Sequence, residues 1–341
     1  MQKENLAIIT NEKTSYLNKC FFCDNIDTKS IPEGLNDSFN IKLFARNSKI
    51  VRSSHKINLK NIIISDGIFN YIKNILKSHK SYNKYLIISL SPYTFIISIL
   101  LFFLKKKVFL YLRSDGYQEY KCYSKYFGET IYHIMFTIAS FKSNLIACRP
   151  HILKGKKGKI VSPSQLNKKW FKNLRKINLK KIKLFYVGRI KIEKGVFSLV
   201  EILKKINIDF MLTIINSEKF YNKELTNKKV KIINYKNRND SIINIYDRNA
   251  ILILPSFTEG HPQVLDESLA RLRPVIIFPE ISHVKRNRKG VFISKRNSNS
   301  LKNKIKFITR NYKKIQNQMK KNKLPDKKAF LNEITKIIKY N

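Results

Sequence analysis

Carboxylates are scarce in this chain. Its 341 residues hold 23 Asp and Glu against 68 Lys and Arg, a formal net charge of +45. No D-x-D pair occurs, so the sequence offers no motif of the kind that anchors a divalent ion, and no metal or resident cofactor is expected. The four cysteines exclude a disulfide framework or zinc set: Cys20 and Cys23 form a lone C-x-x-C, and Cys122 and Cys148 stand apart. They read as reduced thiols of a cytoplasmic protein. The start of the chain, MQKENLAIIT, lacks the charged-then-apolar pattern of a secretory leader.

The basic excess has two readings. One is a polyanion-binding surface. The other is base composition, since Lys, Asn and Ile are all abundant and the cations are spread through the whole chain. The spread favours composition, and nucleic acid is not expected as a partner. A chain of this charge is nevertheless drawn to anionic lipid.

Long apolar runs are nearly absent as well. The exception, Tyr85 to Leu104 followed by lysines, has the length of a membrane span. Ser89, Ser91 and Pro92 divide it into a short strand and a helix, which suits a β-loop-α unit leading into a strand at Val108 to Leu112; the alternative is shallow insertion of the Tyr93–Leu104 helix into a membrane. The same alternation continues with a strand at Asn61 to Ser65, a helix at Ile68 to Leu76, a helical stretch at Tyr120 to Phe141, and strands at Asn144 to Cys148 and Ile160 to Pro163. Asn167 to Lys183 is a basic link holding the single tryptophan, Trp170, either an interdomain linker or a membrane-facing surface.

The most specific segment is Ile251 to Ile277. Ile251 to Leu254 is a wholly apolar run, as in a parallel strand covered on both faces. Turn residues Pro255, Ser256, Gly260 and Pro262 end it, with Pro262 suited to the first turn of a helix. Val264, Leu265, Ser268 and Leu269 give a helical stripe, and Pro274 to Phe278 is the next strand. Glu259 in the loop and Glu267 in the helix would both face the crevice at the carboxyl ends of the strands, where ligands bind in such sheets. A carboxylate there can accept paired hydrogen bonds from a vicinal diol; equally, acidic groups near a helix start complement its dipole.

Lys183 to Val187 is a second apolar strand. It runs into Gly188-Arg189 and then Lys194-Gly195, ahead of a helix with Val196, Leu199, Val200, Ile202 and Leu203 on one face. Gly188 permits a sharp turn, and Arg189 and Lys194 place two cations at the same sheet edge, which suits a diphosphate.

Gly188-Arg189 with Lys194-Gly195, then P-S-x-x-E-G-x-P-x-x-x-x-E beginning at Pro255, resembles glycosyltransferase family 4, the glycosyl transferases group 1. The resemblance covers about residues 183–294, including Tyr246 before the pocket strand, and is weak over 1–175. It implies an α/β GT-B fold: two Rossmann-like domains facing a central cleft, with a C-terminal helix crossing back to the first. The expected domains are 1–175 for the acceptor, 176–310 for the nucleotide-sugar, and 311–341 as helices returning to the first domain.

By the same resemblance the activity is a retaining, metal-independent transfer of a hexose-type sugar. The donor is a nucleotide-diphosphate sugar, and the acceptor a hydroxyl of a surface-polysaccharide or lipid-linked glycan. Arg189 and Lys194 would hold the diphosphate beside Gly188, and Glu267 the ribose. Glu259 would meet the sugar, with loop amides around Gly260 and His261. The expected placement is cytoplasmic, peripheral on the anionic inner face of the cell membrane. The alternatives are a nonenzymatic polyanion-binding protein and a GT-B sugar-nucleotide epimerase.

Two departures from the family pattern stand out. Ala270-Arg271-Leu272-Arg273-Pro274 has Leu where A-x-G-x-P is usual, so the turn must differ or hold a strained residue, and Arg271 and Arg273 are expected to be solvated, with extra phosphate or surface contacts as the alternative. Where many relatives carry a His after an N-domain strand, this chain has Arg113-Ser114-Asp115, which makes Arg113 and Asp115 the acceptor-side candidates. Near the C-terminus, Leu301, Ile305, Ile308, Tyr312, Ile315 and Met319 recur at four-three spacing as one core-facing stripe, with a helix lying on anionic lipid as the alternative, and Ala329 to Tyr340 is the expected return helix.

Overall fold

The computed structural model describes residues 3–51, 55–124, 126–216, 225, 228–234 and 242–340. The chain divides into two compact units, Met1–Pro163 with Lys328–Asn341, and Ser164–Lys327.

The first unit has strands β1 (Glu4–Leu17), β2 (Cys20–Cys23), β3 (Phe39–Asn47), β4 (His55–Ile57), β5 (Ile62–Ser65), β6 (Lys84–Ile88), β7 (Lys107–Leu112), β8 (Ser143–Ala147) and β9 (Lys159–Ile160). Its helices are α1 (Ile26–Leu35), α2 (Gly67–Ser78), α3 (Pro92–Phe103), α4 (Gly116–Tyr123), α5 (Gly128–Phe141) and, from the end of the chain, α11 (Lys327–Tyr340). The strands form one sheet whose parallel part runs β5-β3-β1-β6-β7-β8-β9, with β2 and β4 added antiparallel at the far end of β1. Alternate residues of a strand face opposite sides, so Ala7 and Ile9 pack with Tyr71, Ile97 and Tyr132 of α2, α3 and α5. Leu6 and Ile8 pack instead with Ile31 of α1 and Phe330, Ile334 and Ile338 of α11.

The Tyr85–Leu104 run resolves as its Ser and Pro residues dictate. β6 ends at Ile88, and Ser91 opens α3 through a capping box with Thr94, Pro92 standing in the first turn. Among the described residues, no helix is long and apolar enough to cross a membrane. The Tyr120–Phe141 stretch is two helices rather than one. α4 stops at Tyr123, and Gly128 opens α5 where a Cβ would stand 2.0 Å from the Tyr120 carbonyl oxygen.

The second unit carries β10 (Ile182–Val187), β11 (Phe210–Asn216), β12 (Val230–Asn234), β13 (Ile251–Leu254), β14 (Val275–Ile277) and β15 (Val291–Ile293). Its helices are α6 (Val196–Lys204), α7 (Ile242–Arg248), α8 (Gln263–Ala270), α9 (Ser298–Arg310) and α10 (Tyr312–Met319). The six strands are all parallel, in the order β12-β11-β10-β13-β14-β15. Chain order reverses direction between β10 and β13, which makes their carboxyl ends the topological switch point.

Two boundaries differ from the sequence expectation. Residues 164–175 pack with the second unit, because Leu166 and Trp170 are buried in its core. Residues 311–327 also stay there: the apolar stripe continues past a break at Asn311, and Tyr312, Ile315 and Met319 enter the same core as Leu301, Ile305 and Ile308. The return to the first unit is α11 alone.

Candidate functional site

The switch point of the second unit gathers two loops. β10 ends in Gly188, whose φ of +153° and whose contact with Tyr186 leave no room for a side chain: a Cβ would lie 2.6 Å from the Tyr186 hydroxyl. The Tyr186 hydroxyl donates to the Arg189 carbonyl at 2.8 Å and pins the turn. Among the described residues, the Arg189 guanidinium makes no ion pair. A single 3₁₀ turn, Ile192–Lys194, leads to Gly195 at φ +64°, where a Cβ would meet the Pro255 carbonyl oxygen at 2.0 Å. That close approach brings the β10 loop against the β13 loop, and the Phe257 amide donates to the Glu193 carbonyl at 2.9 Å.

The juxtaposition has a chemical result. Lys194 Nζ lies 2.7 Å from Glu259 Oε1, and Ser256 Oγ donates to the same oxygen at 2.7 Å. His283 Nε2 donates to the Glu259 carbonyl at 2.7 Å. The two side chains of the ion pair keep 22% and 13% of their exposure, so solvent or a ligand reaches both. Arg296 braces the loop from below: its guanidinium stacks over Phe257 and Phe278 and donates to the Pro255 carbonyl at 3.0 Å.

Pro262 precedes α8 as its cap instead of standing inside its first turn, and Gly260, within the same loop, is buried. His261 turns its ring into the protein. Its Nε2 is 2.7 Å from Asp266 Oδ2, Asp266 also pairs with Arg288 at 2.8 Å, and the imidazole side chain is almost wholly buried. Only the backbone of His261 is left to face a ligand.

Glu267, in the second turn of α8, accepts a hydrogen bond from the Tyr246 hydroxyl at 2.6 Å. Tyr246 is fully buried, edge-on to Trp170 and Phe185 with ring centroids 5.4 and 5.2 Å away. Burial pushes the Glu267 carboxyl up to about 7; the bond from Tyr246 opposes this and the neighbouring Asp266 adds to it. Glu267 keeps partial exposure, so a ligand hydroxyl can reach the oxygen that Tyr246 leaves open.

Arg271 and Arg273 are not solvated. Both are completely buried, because the α8–β14 turn sends them inward onto Asp247. Arg271 donates to both Asp247 oxygens, at 2.9 and 2.8 Å, and to the carbonyls of Trp170, Lys172 and Asn173. Arg273 donates to the carbonyls of Tyr246 and Arg175. Leu272 between them has φ +56°, the left-handed conformation a glycine would adopt without cost. The chain keeps the helix-ending geometry with a bulky residue, whose side chain packs in the core.

In the first unit, Arg113 follows β7 and is held by three partners: Glu12 at 2.8 Å, Asp27 at 3.3 Å and Ser89 Oγ at 2.8 Å. Burial disfavours its charge, but Glu12 and Asp27 outweigh burial and raise its pKa. Ser89 adopts φ +67° at the end of β6, a strained placement of a kind that clusters at functional sites. Asp115 is committed elsewhere: it caps α4 through the Tyr117 amide at 3.1 Å and pairs with Lys154 at 3.0 Å. The sequence marks Ser256 and Ser89 only as turn residues, and it does not single out His283, Asp266, Arg288 or Arg296 at the donor loops, nor Glu12 and Asp27 around Arg113. The cations among them are lost in a background of 68. The positive φ of Ser89 has no sequence signal.

Among known proteins, residues 167–324 match the family model "Glycosyl transferases group 1". Sequence comparison with curated proteins finds no match. In three dimensions the chain is similar to sucrose-phosphate synthase from Thermosynechococcus elongatus, at 14% identity, a TM-score of 0.71 and coverage of 98% of both chains. It is also similar to WaaG, a glycosyltransferase involved in lipopolysaccharide biosynthesis (13% identity, TM-score 0.69, covering 98% of this chain and 100% of that one). A third is HepE from Anabaena, in complex with UDP-glucose (10% identity, TM-score 0.67, covering 97% and 94%). These likenesses show a shared GT-B fold of two parallel-sheet units.

Proposed function

We propose that this chain, which over residues 167–324 belongs to the glycosyl transferases group 1, is a retaining hexosyltransferase. It takes a nucleotide-diphosphate sugar as donor, works without a metal, and passes the sugar to a hydroxyl of a surface-polysaccharide or lipid-linked glycan. The observation that carries the reading is the Lys194–Glu259 pair, formed between the loops after β10 and β13 at the switch point, with Arg189 on the first of these loops and Glu267 on the helix after the second.

In this reading Arg189 and Lys194 bind the diphosphate and stabilise the charge that develops on it as the glycosidic bond breaks. Lys194 already lies against Glu259, so the cation that faces the leaving group also fixes the carboxylate that receives hydroxyls of the sugar. Glu267, oriented by Tyr246, accepts from the ribose diol, and the amides around Gly260 and His261 line the sugar. The first unit supplies the acceptor side, with Arg113 as its fixed cation; Asp115 acts through its cap and its pair with Lys154. The protein works in the cytoplasm, peripheral on an anionic membrane face. A lipopolysaccharide role for WaaG and bound UDP-glucose in HepE support the acceptor and donor classes.

The experiment is a thermal-shift panel of UDP-, GDP- and ADP-sugars on wild type and Glu267→Ala. At least one nucleotide-sugar raises the wild-type Tm, and the shift is lost in the variant. No shift with any of them removes the transferase reading; conversion of the donor to its epimer without an acceptor replaces it with an epimerase.

A further inference from the structure

α5 carries apolar residues on two sides. Tyr132, Met135, Phe136 and Ala139 are buried against the sheet, as a helix covering a core requires. Opposite them, Phe127, just before the helix, and Ile131, Ile134, Ile138 and Phe141 follow one another at four-three spacing. They are exposed by 70, 48, 53, 49 and 76%. A solvated helix face would place charge there, yet the only acidic residue of α5 is Glu129, in its first turn. Beside this stripe, α3 exposes Phe102 and Phe103. Together with Ile138 and Phe141 they line a groove of about 640 Å³ between the two helices, and Lys105, Lys106 and Lys142 stand on its rim.

The groove has a definite place in the fold. α3 ends just before β7 begins, and α5 just before β8 begins. Both groove ends therefore lie at the amino-terminal edge of the sheet, opposite the carboxyl edge that carries Ser89 and Arg113. An occupant of the groove leaves the candidate acceptor side free.

We propose that the α3–α5 face is a docking surface for an anionic lipid bilayer. Phe102, Phe103, Ile138 and Phe141 enter the acyl region, and Lys105, Lys106 and Lys142 meet the headgroups. An exposed apolar stripe of this length marks an interaction site, and apolar side chains flanked by lysines match the layered chemistry of a membrane interface. Charge selects the bilayer over a second copy of this chain. A two-fold pairing would bring two lysine rims and two chains of net charge +45 together, whereas an anionic surface neutralises them. The inference deepens the membrane part of the proposed function and rests on it, but not on the donor chemistry.

The test is flotation with vesicles of phosphatidylcholine alone or mixed with phosphatidylglycerol, at about 0.15 M salt where distant charges are screened. Wild type floats with the mixed vesicles. The charge-neutral variant Ile134→Gln/Ile138→Gln/Phe141→Gln, its fold checked by circular dichroism, loses about tenfold or more in partitioning. Lys105→Gln/Lys106→Gln/Lys142→Gln erases the preference for phosphatidylglycerol. Unchanged flotation of the apolar variant overturns the proposal in favour of diffuse charge attraction. A wild-type dimer in light scattering that this variant converts to monomer overturns it in favour of self-association. Nucleotide-sugar shifts measured on the same preparations separate the two readings: flotation without a shift removes only the transferase, and a shift without flotation removes only the docking surface.

Discussion

Glu267 is the residue whose environment makes the sharpest demand. Its carboxyl ionises near pH 7 in the folded protein but around its ordinary 4.5 when unfolded. Between those values the folded state holds the extra proton, so this group's contribution to stability falls as pH rises from about 4.5 to about 7 and is level beyond. Glu267→Gln should therefore match wild type in Tm at the acid end and gain on it steadily up to neutrality. A Tm difference independent of pH would show that the carboxyl is not held up. Donor binding should move the other way, strengthening through pH 7 as the carboxylate becomes a full acceptor. Leu272 sets up a second contest. Its left-handed backbone costs about 1–2 kcal/mol, but the side chain sits in the core and its removal costs about 2–5 kcal/mol. Packing wins, so Leu272→Gly lowers the Tm although it relieves the strain. Leu272→Ala loses most of the same packing and keeps the strain, so it should be the less stable of the two, the reverse of the usual order in helices.

At the scale of elements, the α8–β14 turn is fixed by charge. Arg271 and Arg273 converge on Asp247, at the end of α7, and hold the carbonyls of Trp170 to Arg175. Removing one partner strands the others in the interior, so Arg271→Met should cost about 3–5 kcal/mol in denaturant unfolding, with a smaller further loss when Asp247→Asn is added. The sequence pointed to the strands and loops of this site because an all-parallel sheet writes long apolar runs punctuated by glycine and proline. It read the arginines as solvated because a lone Arg looks the same whether its partner is water or an aspartate far along the chain. The break between α4 and α5 is hidden for a related reason: apolar spacing persists across Ser124–Phe127, whereas the extended backbone at Ser124 and the close approach of Gly128 to the Tyr120 carbonyl leave no periodic signal. β1, β2 and β3, built from the first 47 residues, were likewise unread, since β1 mixes buried apolar residues with Thr, Asn, Glu and Lys.

For the molecule as a whole, the second unit has one core and the first has one on each face of its sheet, and α11 ties the end of the chain into one of the latter. Phe330→Ala should lower the transition of the first unit by about 3–5 kcal/mol and leave a nucleotide-sugar shift of the second unit in place. Calorimetry with and without donor reads both. A single transition moved equally by substitution and donor would mean that the cores melt as one. The single tryptophan of the chain has a consequence of its own. Trp170 sits edge-on to Tyr246, whose hydroxyl is bonded to Glu267, the residue assigned to the donor ribose. Its emission comes from one indole in one environment, next to the site proposed for the donor, so the protein carries an intrinsic, label-free optical gauge of that site.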